Sequence, residues 1–108
     1  MRNCKHKVLD QNEFAFAVRC ACHPEIQLGF GNIALLLPPK DFHKLLRQVE
    51  NTLHQMRDIC CPHCRNIVID TSVSNMAFMF TYYELTQLLE VMHHTAVLLA
   101  VEGILQNQ

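Results

Sequence analysis

Cysteine and histidine are the residues of this sequence whose types and spacing could do chemistry. The six cysteines fall in three groups (Cys4, then Cys20 and Cys22, then Cys60, Cys61 and Cys64) among seven histidines. Thiolate sulfur and imidazole nitrogen are the donors of a tetrahedral structural zinc site. In a reducing compartment, clustered thiols are metal ligands or redox groups more often than structural disulfides. The bland alternative makes each cysteine a small buried hydrophobe, which three tight groups fit poorly. The N-terminal group contains the ingredients of a Cys₃His site. Val8 to Cys20 reads as a β-hairpin, with Asp10-Gln11-Asn12-Glu13 as its polar turn and Phe14, Phe16 and Val18 alternating beyond it. An antiparallel pair turning about residue 12 sets Cys4 opposite Cys20, with His6 and Cys22 within two residues of that pair. Cys4, His6, Cys20 and Cys22 are therefore the expected zinc ligands, with His23 as a substitute for Cys22. Four protein ligands around zinc contribute folding free energy and leave no open position for catalysis.

Cys61-Pro62-His63-Cys64 is a true C-x₂-C, and its thiols are the second candidates. It fits half of a zinc knuckle completed by Cys20 and Cys22, or a thiol–disulfide redox pair with Arg65 nearby to favour a thiolate. Cys-Pro-His-Cys resembles the active-site motif of the periplasmic thioredoxin-fold disulfide oxidants, where the motif opens a helix whose N-terminus lowers the first thiol's pKa. Here a helix precedes the motif and the strand-like Ile67-Val68-Ile69 follows it, so the activating helix terminus is missing. A solvated loop with incidental cysteines is the plain alternative.

The other histidines read as ordinary. His43 and His54 fall off the apolar stripe of their helix. His93 and His94 are adjacent, and neighbouring helix positions point about 100° apart, which prevents easy chelation of one ion. Gly-rich phosphate loops, Ser-His-Asp sets and paired carboxylates at helical spacing are all missing, which argues against an enzyme.

The elements that must position these groups repeat. A shift of 43 residues lays Asn32-Ile33-Ala34-Leu35-Leu36-Leu37 on Asn75-Met76-Ala77-Phe78-Met79-Phe80, and Phe42, Leu45, Leu46 and Val49 on Leu85, Leu88, Leu89 and Met92. This points to a ββα unit used twice. In the first, Glu25 to Phe30 alternates as a strand, Gly31-Asn32 makes a hairpin turn and Ile33 to Leu37 returns. In the second, Ile67 to Thr71 and Met76 to Phe80 follow the same plan around Ser74-Asn75. Helix one starts at Pro38-Pro39 and carries Phe42, Leu45, Leu46, Val49, Leu53 and Met56 on one stripe. Helix two starts with the capping-box spacing of Thr81 and Glu84 and carries Leu85, Leu88, Leu89, Met92, Ala96 and Leu99. The expected fold is α+β in a single domain, 1–108: a Cys/His hairpin at 1–24, then ββα units at 25–59 and 60–108. The units share one antiparallel sheet with the helices on one face.

Net charge is −1, from nine Lys and Arg against ten Asp and Glu, so neither nucleic acid nor an anionic membrane surface is an expected partner. No apolar run reaches the ~18 residues of a membrane span. The first residues lead into no long apolar segment, so no secretory signal is expected and the compartment reads as cytoplasmic. The chain resembles a family of short bacterial proteins of unknown function, through Cys4, Cys20-x-Cys22, Ile26-Gln27-Leu28-x-Phe30-Gly31, Leu35-x-Leu37 and Phe42-x-x-Leu45. The resemblance implies that Cys4 and the paired cysteines are the shared feature; it implies no activity. Finally, Val91, His94, Leu98, Val101 and Leu105 form a second stripe on helix two, which suggests a homodimer through that helix. The expected function is thus a zinc-stabilised, non-catalytic binding or adaptor module, with a thiol–disulfide redox protein using Cys61 and Cys64 as the alternative.

Overall fold

The structure is a computed structural model that describes residues 5–56 and 61–106. The element order is β1 (His6–Gln11), β2 (Ala15–Cys20), β3 (Ile26–Phe30), β4 (Ile33–Leu37), α1 (Pro39–Gln55), β5 (Ile67–Asp70), β6 (Ala77–Phe80) and α2 (Tyr82–Gln106). This is the expected α+β fold with an N-terminal hairpin. The strands divide into two antiparallel sheets, β1-β2-β3-β4 and β5-β6, where the sequence suggests one. Rings join them instead of a hydrogen-bond ladder: Phe30 lies 5.2 Å from Phe78, edge to face, and 5.4 Å from Phe80. Phe14, in the β1–β2 turn, meets Phe80 at 6.2 Å. Edge-to-face rings add to the area that such side chains bury.

Local chemistry sets each element. Among the described residues Gly31 alone takes a positive φ, 57°, as the first residue of the two-residue turn between Phe30 and Ile33. A side chain there would be strained, which is why glycine leads this kind of turn. Pro39 opens α1 at a position whose N–H would be unpaired anyway. The expected box caps α2: the Glu84 N–H donates to Thr81 Oγ1, and the Thr81 N–H to Glu84 Oε1, both at 2.9 Å.

The first hairpin differs from its sequence reading in register and turn. Its register sets His6 opposite Cys20 and shifts between Val8 and Asp10, so Asp10 and Gln11 belong to β1 and the turn is Asn12-Glu13-Phe14. The shift places both Leu9 and Asp10 on the helix side, where Leu9 is buried and Asp10 reaches His94. Asn12 fixes the turn. Its Oδ1 accepts from the N–H groups of Phe14 (3.0 Å) and Ala15 (2.9 Å), and its Nδ2 donates to Gln87 O (2.8 Å) and Glu90 Oε1 (3.1 Å) on α2. The structure also fixes which face of β2 turns inward, which the alternation left open. Ala15 and Ala17 are buried beneath α2, and the larger Phe16 and Val18 point away from the helices. Two alanines let the helix approach the sheet closely.

The core lies between the four-stranded sheet and the helices. It contains Ile26 and Leu28 from β3, Phe42 and Val49 from α1, and Leu85, Leu88, Val91 and Met92 from α2. Each such side chain contributes roughly 1.5–3 kcal/mol when fully buried. Asn12→Ala removes two turn bonds and two bonds to α2 at once. Urea unfolding should show a loss of about 2 kcal/mol. Asn12→Asp, which keeps the turn acceptor but sets a carboxylate oxygen against Gln87 O and the Glu90 carboxylate, should not recover it. A shift under about 0.5 kcal/mol would mean that the turn holds without its side chain.

Candidate functional site

Sulfur chemistry sits at two places. At the open end of the first hairpin, the alternation of β2 turns Cys20 away from the helices, on the same face as Val18. The Ala21 N–H donates to Lys5 O (3.0 Å) and the His23 N–H to Cys20 O (3.2 Å), closing a tight turn after the strand. His6, Val18, Cys20, His23, Glu25, Gln27 and Leu36 line a pocket of about 220 Å³ there. Three of the expected or substitute ligands, His6, Cys20 and His23, therefore share one cavity. Cys22 is exposed in the turn and is the free cysteine among the described residues, whereas Cys20 is disulfide-bonded. Cys4 and Cys60 lie outside the described residues. Among the described residues no group of three or more His, Cys, Asp or Glu is placed to hold a metal ion. A sulfur in a disulfide offers no thiolate, so Cys20 would have to be reduced before it could act as a ligand.

The second place is the loop between α1 and β5. Cys61 and Cys64 are joined by a disulfide, with Cα atoms 5.4 Å apart. The Cys64 N–H donates to Cys61 O (3.2 Å) and the Asn66 N–H to Cys64 O (3.0 Å), so the C-x₂-C segment is a tight turn leading straight into β5. Cys64 is exposed, as are Pro62 and His63 between the two sulfurs. No helix starts at either cysteine. Arg65, expected to favour a thiolate, is committed elsewhere: its guanidinium binds Glu84 through Nε at 3.3 Å and Nη2 at 2.6 Å. The hydrogen bond from Arg65 holds the Glu84 carboxyl below its ordinary pKa, burial opposing and Thr81 assisting. The same contact raises Arg65. The carboxylate thus serves at once in the α2 cap and in a clamp on the residue after Cys64.

The topology sets these two places at opposite ends of the sheet. Cys20 lies beside the Ile26 and Leu37 end of the β3–β4 pair. Cys64 precedes Ile67, which pairs with Phe80, and Phe80 packs on Phe30 at the far end of β3. Helix α1 runs 17 residues, about 25 Å, between them. A zinc knuckle uniting Cys20 and Cys22 with Cys61 and Cys64 therefore does not fit this fold.

The histidines of α2 hold partners that sequence spacing could not name. His93 Nε2 meets Glu50 Oε2 of α1 at 2.6 Å, and His94 Nδ1 meets Asp10 Oδ2 of β1 at 2.9 Å. Within the second stripe of α2, Val91 is fully buried in the core, while Leu98 and Val101 are exposed.

The chain belongs to the family described as "Family of unknown function (DUF6686)", which matches residues 1–105. No curated protein and no solved structure matches the chain. No helix among the described residues is long and apolar enough to cross a membrane.

The Arg65–Glu84 clamp has a pH signature. A carboxylate whose folded pKa is lowered adds stability that is full above its ordinary range and is lost as the pH falls through the lowered value. The urea midpoint of the wild-type chain should therefore fall more between neutral pH and pH ~3 than that of Glu84→Gln, the other carboxylates being common to both. Parallel curves would show that the clamp adds nothing at this exposed site.

Proposed function

We propose that the chain is a thiol–disulfide redox protein acting through Cys61 and Cys64, and that it works as a responsive switch and not as a turnover catalyst. The observation that carries this reading is the pairing of the two sulfurs in an exposed C-x₂-C turn. A dithiol reductant would open the bond by exchange: its thiolate attacks one sulfur, the other leaves as a thiolate, and the reductant's second thiol resolves the mixed disulfide. Two electrons and two protons reach the chain, and the reductant leaves as a disulfide. Strong oxidants of this chemistry stabilise their reduced form with a helix N-terminus or a cation beside the thiolate. Here α2 is capped by its own box and Arg65 is neutralised by Glu84, so the couple belongs nearer the reducing end of the range. A cytoplasmic location fits this reading, because disulfides in that compartment are mostly transient and redox-sensing.

A zinc-stabilised binding or adaptor module is the second reading. It is favoured by the pocket that His6, Cys20 and His23 share, and it requires Cys20 as a thiolate. Metal analysis together with thiol counting by alkylation and mass spectrometry separates the two. Under the redox reading, folded protein carries no stoichiometric zinc, and Cys61 and Cys64 pass between disulfide and dithiol reversibly as the dithiothreitol ratio is varied. About one zinc per chain in protein purified with reductant, lost in Cys20→Ser and kept in a Cys61→Ser, Cys64→Ser chain, would instead establish the second reading.

A further inference from the structure

Over its middle, the face of the four-stranded sheet turned away from the helices is apolar and uncovered among the described residues; at one end Cys20 is buried and His6, His23 and Glu25 line the surface. Val8, Val18, Gln27 and Leu36 pair in turn across all four strands, forming one continuous row on that face. Gln11, Phe16, Gly29 and Ala34 form the next, polar only at its β1 edge, with the Phe16 ring lying over Gly29 so closely that a Cβ there would meet it. Leu36 is 69% and Val8 55% exposed. None of the outward-facing strand positions in the sheet carries Asp, Glu, Lys or Arg. A one-layer antiparallel sheet ordinarily alternates apolar-in with polar-out, and strands apolar on both faces are those covered on both. An exposed apolar patch of this kind marks an interface.

We propose that this face is the interface of a homodimer, in which the sheet of a second copy packs on it across a two-fold axis. Two arguments select a second copy as the occupant. The first is area. Four strands about 4.8 Å apart and five or six residues long span about 19 by 17–20 Å, a footprint of roughly 320–380 Å² that the relief of side chains such as Leu36, Val8 and Phe16 enlarges toward the about 800 Å² per partner of a standard interface. The second is complementarity. The strand positions of this face carry no charge and Glu25 lies only at its end, beside Val18, Gln27 and Leu36, so its copy brings little like-charge repulsion. Its one central polar side chain, Gln27, has an amide that both donates and accepts. Such an amide can satisfy its own copy across a dyad, which a wholly apolar partner could not do. The α2 surface is a weaker candidate for self-association. With Val91 in the core and His94 tied to Asp10, the exposed apolar residues described on that helix are Val97, Leu98, Ala100 and Val101, with Tyr83 apart from them in its first turn.

Light scattering in the presence and absence of reductant, on a Cys22→Ser background that removes the free thiol of the described residues, tests this directly. The chain should run at twice its 12.5 kDa at high micromolar concentration, and Val8→Lys with Leu36→Lys should return it to one chain mass with an unchanged circular dichroism spectrum. Leu36→Lys alone, on an edge strand where lysine is well tolerated, gives the same reading should the double variant fold poorly. A chain that is monomeric at high micromolar concentration overturns the proposal. So does a dimer that survives both lysines and separates instead with Leu98→Glu and Val101→Glu.

Discussion

Everything in this fold is arranged around the contact between one long helix and two alanines. Helix α2 lies across β1 and β2, where Ala15 and Ala17 offer it almost no side-chain bulk. Interiors are packed to crystal-like density, so a helix can come this close only over small residues. From that position α2 reaches elements far apart in sequence. Glu102 pairs with Arg19 and Lys7, His94 with Asp10, Glu90 with Asn12, and Glu84 with Arg65. A bulkier residue at 15 or 17 would lift the helix away from all of these partners together.

The same contact dictates what the sheet leaves outside. A strand shows alternate residues to opposite faces. Once the alanines face the helix, Phe16 and Val18 must face the other way. The apolar outer surface thus follows from the choice of inner face. Sulfur chemistry is likewise pushed to the margins, with Cys20 on the outer face at one end of the sheet and Cys61 and Cys64 in a surface turn beyond the other. The buried cluster of Ile26, Leu28, Phe42, Val49 and the α2 residues closes without either place. A group meant to change its bonding with conditions is best kept away from the packing that holds the fold.

Much of this was legible in the chain. The Gly31 turn, the Thr81–Glu84 box, both helix stripes and the strands of the two ββα units each rest on local rules, and each formed where those rules put it, give or take a residue. What could not be read was set by partners distant in sequence. The register of the first hairpin depends on an irregularity between Val8 and Asp10 and on Asn12 reaching α2, and periodicity carries no trace of either. Alternation along β2 identified two faces without saying which one α2 would take. Arg65 is near Cys64 in sequence, yet its charge is spent on Glu84, nineteen residues away.

The repeat shows where local similarity stops deciding structure. Both units fold into a hairpin followed by a helix, as their shared pattern requires. Only the first hairpin finds a ladder partner, because β2 lies beside β3 and offers it a free edge. The second has strands of four residues and no such neighbour, so it attaches by its inward rings, Phe78 and Phe80, against Phe30. Ring packing is tolerant of small rotations, whereas a hydrogen-bond ladder is not. The hairpin that follows Cys64 by two residues is therefore the one part of the sheet structure not locked by backbone bonds to the rest. A rearrangement at the Cys61–Cys64 turn can pass into β5 without breaking the four-stranded sheet, which is the mechanical condition a switch at that position would need.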